Sequence, residues 1–573
     1  MSASTPMQRR RNPRISSPTT PHTHPAAADN AARSPARTFG ISNRIWLVVV
    51  VVLATLLLLH RLLPHHTSDP LPSYASADLK PTNYLEPSSA RPQNPFAFCP
   101  VHGPSDPLAA KYSTSLLTQT IITQGTGHRI QRVLKRALSG QPVTISIIGG
   151  SVSSCHGAGD DPISPKCYPS KFFDWWNTIF PHPATEITNG AMRRTNSDYF
   201  GFCSAHHLPD VTDLVIVELD SDDTPDEQKT MNFEFLIRSL LNRPDQPAVL
   251  VLGHFSTQIF RAHGLTGPDH WHGIVSQFYD VPYIGTKPLL YSDYLQNPKN
   301  IQKYFVDPIL ANPAGHTLLA DVLIAYFQYM TCEAWDIAIG ERVDPLKTDK
   351  SPGLFGGVGL RKGVPEPGDD DEEAYVDSNG ERIIKPVKKS SSSSSSSSSL
   401  NLAIPPGLMF PSQNDQHAFE EIVPYCVSAN DLINPLPPSI FYGTGWLTHH
   451  PQSSATSQQD VEGGATAAHY FHSSLGQSRI RIPVIASHGD IGIYYLREGV
   501  REEGEGSKIE CWVDDNYPGR KEIGNEWQGE GVRATLTMID HSVSKGSHYV
   551  ECELVGDEGQ GVPSFKLVGI FVN

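Results

Sequence analysis

One serine stands where a predicted buried strand ends, and its position suits nucleophilic chemistry. Residues 143–148 form an apolar, β-branched run that predicts a strand, and Gly149 and Gly150 end it. Ser151 is the first side chain beyond this break. Because backbone N–H groups on a glycine turn can face a ligand, Ser151 is placed for nucleophilic attack or for anion binding. The alternative is a plain turn between a strand and a helix.

The sequence predicts neither a cofactor nor a metal ion. The turn after residue 148 lacks the lysine and the third glycine of nucleotide-binding loops. Residues 269–272 read Asp-His-Trp-His, but two histidines at i and i+2 without a distant third ligand do not make a metal-binding pattern. A net charge of −15 and a pI near 5.9 also argue against a nucleic-acid partner, which would require concentrated Lys and Arg.

Strands and helices alternate around Ser151. Strands are predicted over 143–148, 185–188, 213–219, 248–252 and 281–284. Helical patterning covers 106–138, 171–180, 233–241, 274–279 and 314–339. This alternation predicts an α/β domain over 106–344, in which helices cover both faces of a parallel sheet and the functional site lies at the carboxyl ends of the strands.

The C-terminal part of the chain has a different pattern. Residues 345–402 contain an acidic run and ten consecutive serines, which predict a disordered linker. Residues 403–573 are predicted to form an all-β sandwich. Its predicted strands cover 480–485, 491–496, 509–513, 534–538, 548–554 and 565–571. Aromatic residues such as Trp446 and Trp512 suit either a sugar-binding face or ordinary core packing.

The N-terminal part predicts a single-pass membrane anchor. Residues 45–63 form an apolar segment long enough to span a bilayer. Residues 1–44 hold seven arginines and one acidic residue, so the positive-inside rule places this disordered tail in the cytosol. Residues 64–105 are rich in Pro, Ser and His and predict a stem. We therefore expect a type II membrane protein of the secretory pathway, Golgi or cell surface, with most of the chain lumenal or extracellular.

The eight cysteines fit this location. They form no C-x-x-C pair, which argues against a zinc ribbon or a thioredoxin-type site. An even number suits disulfides in an oxidising compartment, and Cys155 with Cys167 can close a short loop beside Ser151. The pairing of the other six stays open at this point.

Four sequence stations follow the predicted strands or enter the last helix. They are Gly149-Gly150-Ser151, Asn189-Gly190-Ala191, the acidic stretch 218–223 and the stretch from Asp307 to His316. In order and spacing these stations resemble the SGNH hydrolase superfamily, the GDSL-type esterases and acetylesterases, over about residues 140–335. The resemblance implies a flavodoxin-like three-layer domain and is greatest to members that start with Gly-Gly-Ser and carry an appended β domain.

The resemblance also implies roles for individual residues. Ser151 would be the nucleophile, and Asp307 would orient the base. The N–H groups of Ser151 and Gly190, with the side chain of Asp222, would form the oxyanion hole.

Two stations depart from the family pattern. The third normally carries an Asn that donates a hydrogen bond, and Asp222 stands there instead. The fourth normally places a histidine three residues after the Asp, where this chain has Leu310. The remaining candidates for the base are His316, His254, His270 and His272, each of which also suits a structural role.

The leading functional hypothesis is a membrane-anchored carbohydrate esterase or O-acyltransferase. It would act on acylated, most simply acetylated, glycans through an acyl-Ser151 intermediate. The alternative is a catalytically inactive domain of the same fold that binds glycan or a protein partner, because Leu310 and Asp222 replace two groups that the chemistry needs.

Overall fold

The computed structural model forms two compact units, Met1–Leu71 and Pro72–Asn573. The residues that it describes are 37–38, 41–42, 47–55, 78–86, 93–101, 103–343, 374–376, 382–384, 404–409, 419–430, 442–449, 469–487, 489–499, 505–529 and 531–573. In the first unit, strands β1 (Arg37–Thr38) and β2 (Ile41–Ser42) pair antiparallel, and helix α1 covers residues 47–55.

The predicted membrane span is described only in its central part. Residues 47–55 are helical and carry exposed apolar side chains, including Leu47 and Val48. The flanking parts of the predicted span 45–63, and most of the predicted tail and stem, lie outside the described residues. Within the described part of the chain, every helix is too short or too polar to cross a bilayer.

The second unit begins with the α/β domain. Its strands are β3 (Ile121–Thr123), β4 (Thr144–Gly149), β5 (Glu186–Asn189), β6 (Leu214–Glu218), β7 (Ala248–Gly253) and β8 (Tyr283–Gly285). Its α-helices are α2 (Pro107–Tyr112), α3 (Thr114–Gln119), α4 (His128–Leu138), α5 (Tyr168–Ile179), α6 (Ser197–Cys203), α7 (Glu227–Leu241), α8 (Thr257–His263), α9 (Pro268–Phe278), α10 (Lys287–Gln296) and α11 (Pro313–Ala338).

These strands form one sheet in the order β3-β8-β7-β6-β4-β5. Strands β4 to β8 run parallel, and β3 pairs antiparallel with β8 at the edge. The sheet confirms the predicted parallel arrangement and brings the ends of β4, β6, β7 and β8 to one edge. Ser151 and the acidic stretch after β6 therefore meet there, since β4 and β6 are neighbours.

Helices cover both faces of the sheet. One buried cluster joins residues of α4, α5 and α11 to the sheet, and another joins residues of α6, α7 and α9 to it. The central strands are therefore apolar on both sides, as a fully covered parallel sheet requires.

One predicted helical stretch was wrong in part. Residues 106–138 do not form continuous helix, because β3 interrupts them between α3 and α4. Ile121, Ile122 and Thr123 are β-branched and form the edge strand, which pairs with β8 through Ile121 and Thr123. Gly127, with φ of +69°, then lets the chain turn into α4.

The C-terminal part folds as two packed sheets. Two further short strands, β9 (Ala374–Val376) and β10 (Arg382–Ile384), pair with each other in the predicted linker, most of which lies outside the described residues. The strands of the larger sheet are β11 (Tyr425–Ser428), β13 (Leu447–His449), β14 (Tyr470–Leu475), β16 (Ile491–Gly499), β19 (Glu526–Trp527), β20 (Val532–Asp540) and β22 (Gly561–Val572). The strands of the smaller sheet are β12 (Tyr442–Thr444), β15 (Arg479–Ala486), β17 (Lys508–Val513), β18 (Lys521–Gly524) and β21 (Gly546–Leu554). The structure confirms a C-terminal all-β domain.

Two tryptophans proposed for a sugar-binding face belong to the packing of the sandwich. Trp512 is buried, and the ring of Tyr517 meets it edge-on at 4.9 Å between ring centroids. Trp446 is half-buried and packs against the sandwich core. Core packing therefore accounts for both residues.

The α/β domain and the sandwich share a core. Phe202 on α6 stacks against Phe571 on β22 with ring centroids 5.6 Å apart. Arg238 on α7 donates to both carboxylate oxygens of Glu421, at 2.8 and 2.7 Å. A disulfide between Cys203 and Cys426 links the two domains covalently.

All eight cysteines form disulfides. The predicted pair Cys155–Cys167 is confirmed, and it closes the loop that follows Ser151. The other pairs are Cys99–Cys332, Cys203–Cys426 and Cys511–Cys552. Four disulfides fit a protein that folds in an oxidising compartment.

Removal of the disulfide between the domains tests the shared core. We expect a Cys203→Ser/Cys426→Ser variant to lose about 2–4 kcal/mol of unfolding free energy, because this bond closes a long loop in the unfolded chain. Its sequence separation is 223, against 41 for Cys511–Cys552. A Cys511→Ser/Cys552→Ser control should lose roughly 1–2 kcal/mol less. Urea unfolding measures both, and wild-type stability of the first variant would contradict the prediction.

Candidate active site

Ser151 lies just beyond β4, and its hydroxyl has two polar partners. The Oγ atom donates to Asp222 Oδ1 at 3.0 Å and accepts the backbone N–H of Arg194 at 2.8 Å. Only 5% of Ser151 is exposed. The hydroxyl proton therefore points at a carboxylate, which is the arrangement a nucleophilic serine needs if that carboxylate is to take the proton.

Asp222 faces Ser151 with both carboxylate oxygens. Its Oδ2 accepts the Ser151 N–H at 3.0 Å and the Ser221 hydroxyl at 3.1 Å. Burial raises the pKa of Asp222 to about 6, although these hydrogen bonds favour its charged form. Near neutral pH Asp222 is therefore mainly ionised, and its proton affinity is greater than that of an ordinary aspartate.

Gly150 permits this close approach. A Cβ atom at this position would lie 2.0 Å from Asp222 Oδ2 and 2.9 Å from the carbonyl oxygen of Thr195. Any side chain would displace the carboxylate from Ser151. The glycine before the serine is thus needed for space next to Asp222.

The expected oxyanion donors are engaged elsewhere. The Gly190 N–H donates to the Ile147 carbonyl at 3.0 Å, as part of the pairing of β4 with β5, so this N–H is already engaged in the sheet and its role in an oxyanion hole stays a prediction. The Ser151 N–H is held by Asp222, and Asp222 itself accepts from Ser151 instead of offering a donor. Two of the three predicted groups therefore bind each other.

Arg194 supplies a donor that the sequence did not reveal. Its φ of +54° lies in the left-handed region, which is uncommon for residues other than glycine, and this conformation accompanies the N–H that reaches Ser151 Oγ. An arginine gives no sequence signal for such a backbone role. A glycine at this position would have done so.

The fourth station does not form an Asp-His pair. Asp307 Oδ1 accepts the backbone N–H groups of Ile309 at 2.7 Å and Leu310 at 2.6 Å, so it caps its own turn. Leu310 is 9% exposed and belongs to the apolar core under the sheet. The predicted role of Asp307 in orienting a base therefore has no support in these hydrogen bonds.

The predicted base His316 is completely buried. Its Nδ1 accepts the Tyr168 N–H at 3.3 Å, and its ring stacks on that of Tyr168 at 6.0 Å. Burial lowers the pKa of His316 to about 3, so the ring is neutral at physiological pH. These contacts are those of a core histidine.

The other three candidate histidines are also placed away from the Ser151 hydroxyl. His254 Nε2 donates to the Ile309 carbonyl at 2.7 Å, and burial lowers the pKa of His254 to about 4. His270 is exposed on α9. Across the described ranges, Ser151 makes no hydrogen bond to an imidazole.

His272 bridges two carboxylates. Its Nδ1 pairs with Asp220 Oδ1 at 2.7 Å and its Nε2 with Asp223 Oδ2 at 2.9 Å, while its ring stacks on Phe233 at 3.8 Å. Burial alone would lower the pKa of His272, but the two carboxylates raise it to about 9. The charged ring thus holds both ends of the loop that carries Asp222.

A second group of polar side chains lies on the disulfide-closed loop after Ser151. His156 Nδ1 pairs with Asp160 at 2.6 Å, and Arg193 contacts His156 Nε2 at 2.7 Å. The sequence patterns did not predict this group, although His156 stands only five residues after Ser151. Its partner Arg193 precedes the residue whose N–H binds Ser151.

Known structures share the two-domain architecture. A crystal structure of a two-domain esterase active on acetylated mannans, co-crystallised with mannopentaose, matches with a TM-score of 0.50 and 17% identity over 80% of this chain and 97% of that one. A second crystal structure of a two-domain esterase active on acetylated mannans matches with a TM-score of 0.50 and 17% identity over 80% of this chain and 98% of that one. At 17% identity, this similarity indicates a shared fold.

A third match is much more limited. A family two carbohydrate esterase from Cellvibrio japonicus has a TM-score of 0.16 and 13% identity over 26% of this chain and 33% of that one, which is too low to support an argument. No protein-family model and no curated protein matches the chain.

The two ion pairs of His272 should make the unfolding free energy depend on pH. Because its pKa is raised to about 9 in the folded protein, its contribution is complete below the unfolded value near 6.5 and is lost as pH rises through 9. We expect the unfolding free energy to fall by on the order of 3 kcal/mol across this range. Urea unfolding at several pH values measures it.

A control separates His272 from the other buried group that titrates here. Burial and the charges of Asp222 and Asp220 raise the pKa of Glu218 to about 8, so Glu218 also removes stability as pH rises. A Glu218→Gln variant lacks this contribution and should retain a fall between pH 6.5 and 9. A flat stability profile in that variant would contradict the assignment to His272.

Proposed function

We propose that this chain is a serine esterase or O-acyltransferase that acts on acylated, most simply acetylated, glycans. The observation that carries the proposal is the hydrogen bond from Ser151 Oγ to the half-buried carboxylate of Asp222. The pair lies at the carboxyl edge of the sheet, where sites lie in folds of this type. The glycan substrate is supported by a fold shared with an esterase active on acetylated mannans.

In the first half-reaction Ser151 attacks the ester. Its Oγ forms a bond to the carbonyl carbon, and the hydroxyl proton passes to Asp222 Oδ1, which already accepts it. The Arg194 N–H donates to Oγ at 2.8 Å, so it lies beside the reacting atom and is the backbone group offered as the donor to the developing oxyanion. Protonated Asp222 is neutral and does not repel that oxyanion.

Collapse of the tetrahedral intermediate completes the transfer. The bond between the carbonyl carbon and the sugar oxygen breaks, and Asp222 returns the proton to that oxygen, which leaves an acyl-Ser151. Water, or a second sugar hydroxyl, then attacks the acyl carbon while Asp222 takes its proton. The proton returns to Ser151 Oγ as the acid, or the new sugar ester, is released.

A second candidate is a glycan-binding domain without catalytic activity. It is favoured by Leu310, which occupies the family histidine's station and is packed in the core. In that case the Ser151 hydroxyl would only stabilise the turn through Asp222.

Three variants test the esterase. We expect the lumenal region to react with a fluorophosphonate and to release acetate from acetylated oligosaccharides, and Ser151→Ala to abolish both. Asp222→Asn should lower the rate at least 100-fold because it removes the proton acceptor. Ser164→Ala, which removes a buried hydroxyl from the same disulfide-closed loop, should retain activity and serves as the control.

The dependence of the rate on pH should report the ionisation of Asp222. Since Asp222 must be ionised to accept a proton and its pKa is raised to about 6, the rate should increase as pH rises through 6 and then level off. If wild type shows neither labelling nor turnover while glycan binding persists, the second candidate is correct.

We also propose that residues 45–63 anchor the chain in a membrane of the secretory pathway, with the four disulfides on the lumenal or extracellular side. The apolar run and the arginine-rich tail before it support this orientation.

Cell fractionation tests the anchor. The full chain should stay in the membrane pellet after alkaline carbonate treatment and dissolve in detergent. A chain lacking residues 1–63 should become soluble, whereas removal of residues 1–44 alone should leave the chain membrane-bound. Recovery of the full chain in the soluble fraction would refute the anchor.

A further inference from the structure

A cleft lies at the same edge of the sheet as Ser151, beyond the ends of β7 and β8. It is a narrow cleft that is partly open to solvent, and neither Ser151 nor Asp222 lines it. We call it the distal pocket, and the lining residues used below are Asp220, His254, Phe255, Phe260, Asp269 and Lys287. Strand β6 separates β7 from β4, so the pocket begins about 10 Å from the Ser151 strand.

One wall of the distal pocket is aromatic. Phe255 precedes α8 and Phe260 lies on it, with ring centroids 5.9 Å apart and an angle of 44° between their planes. Phe255 is buried and Phe260 is half-buried. Such a wall offers apolar contact to the C–H face of a ligand ring.

The opposite side is rich in hydrogen-bond acceptors. His254 Nε2 donates to the Ile309 carbonyl, which leaves Nδ1 as the unprotonated acceptor of a neutral ring. Among the residues that the structure describes, none donates a hydrogen bond to this Nδ1. The carboxylates of Asp220 and Asp269 add further acceptors, so a ligand that fits must bring several donors.

The charges that line the pocket are already compensated. Asp220 binds His272 and the Tyr283 hydroxyl, at 2.7 Å each, and Asp269 pairs with Lys287. A bound ion would disturb these pairs, whereas a neutral ligand would not. The chemistry of the pocket thus favours an uncharged molecule with several hydroxyl groups.

Gly253 lets the end of β7 pack closely against two groups that line the pocket. A Cβ at this position would lie 2.8 Å from both Asp220 Oδ2 and the Tyr283 hydroxyl. Any side chain there would therefore displace these two groups.

We propose that the distal pocket is a glycan subsite that receives one hydroxyl group of a neutral sugar ring of the substrate while another ring presents its ester to Ser151. The hydroxyl that enters donates to His254 Nδ1, and the C–H face of its ring lies at the mouth of the pocket against Phe260. This inference rests on the proposed function. Its consequence is a preference for oligosaccharides, since the two positions are two strands apart.

Binding to the full chain tests the subsite directly. Ser151→Ala prevents turnover, and isothermal titration then measures affinity for mannopentaose, xylopentaose and cellopentaose. At least one pentasaccharide should bind, and Phe260→Ala should weaken it at least ten-fold. Phe278→Ala is the matched control, because Phe278 is an exposed aromatic outside the pocket and its loss should not change affinity.

A second variant covers the case in which Phe260→Ala does not fold. Ile122 lies on the rim, is 45% exposed, and Ile122→Trp should narrow the entrance and weaken binding by a similar factor. Absence of binding for all three sugars, or equal affinity of wild type and the folded pocket variants, would overturn the subsite.

The subsite and the esterase fail in different ways. If wild type cleaves p-nitrophenyl acetate and acetylated monosaccharides as efficiently as acetylated pentasaccharides, the esterase stands and the subsite is wrong. If binding depends on Phe260 but no ester of any size is cleaved, the subsite stands and the proposed esterase is wrong. Support for both requires a kcat/KM at least ten-fold greater for the pentasaccharide.

Discussion

The hydrogen bonds between Ser151 and Asp222 are the constraint on which the site depends. One carboxylate receives both the hydroxyl and the backbone N–H of the serine, so the turn after β4 and the loop after β6 are joined at a single point. Gly150 leaves room for this contact, since any Cβ would overlap the carboxylate. The position of Asp222 therefore decides both the orientation and the acidity of the nucleophile.

The loop that carries Asp222 is held by balanced charge. Glu218, Asp220 and Asp223 are buried and Asp222 is half-buried, all within six residues of sequence. Such a group would be unstable if every member were ionised without a partner. The single positive charge of His272 is shared between Asp220 and Asp223, and Glu218 keeps its proton to about pH 8. Asp222 is left as the member that can exchange a proton near neutrality.

The sandwich completes the α/β domain on one face. Its β22 packs through Phe571 against α6, and Arg238 of α7 binds Glu421 at the edge of the sandwich. Helix α6 follows the second station, residues 189–191, and helix α7 follows the third, residues 218–223. The C-terminal domain thus supports the helices next to Arg194 and Asp222, which explains why its core is continuous with theirs.

Local patterns in the sequence predicted the parallel α/β sheet and the C-terminal all-β domain. The apolar runs that became β4 to β8, the alternating runs of the sandwich and the serine after a glycine turn are local patterns, and a local pattern survives folding because it expresses the periodicity of the element. The parallel order then brings the strand ends together, which is why Ser151 and the acidic stretch were predicted at one edge.

The contacts within the site depend on the tertiary structure. The N–H that binds Ser151 Oγ belongs to Arg194, whereas the Gly190 N–H binds within the sheet. Asp307 accepts hydrogen bonds from its own turn, His316 is buried, and His272 lies between two carboxylates. These outcomes depend on distances of a few ångströms between segments far apart in sequence and on burial that changes proton affinity. Residue type and spacing carry no information about either quantity.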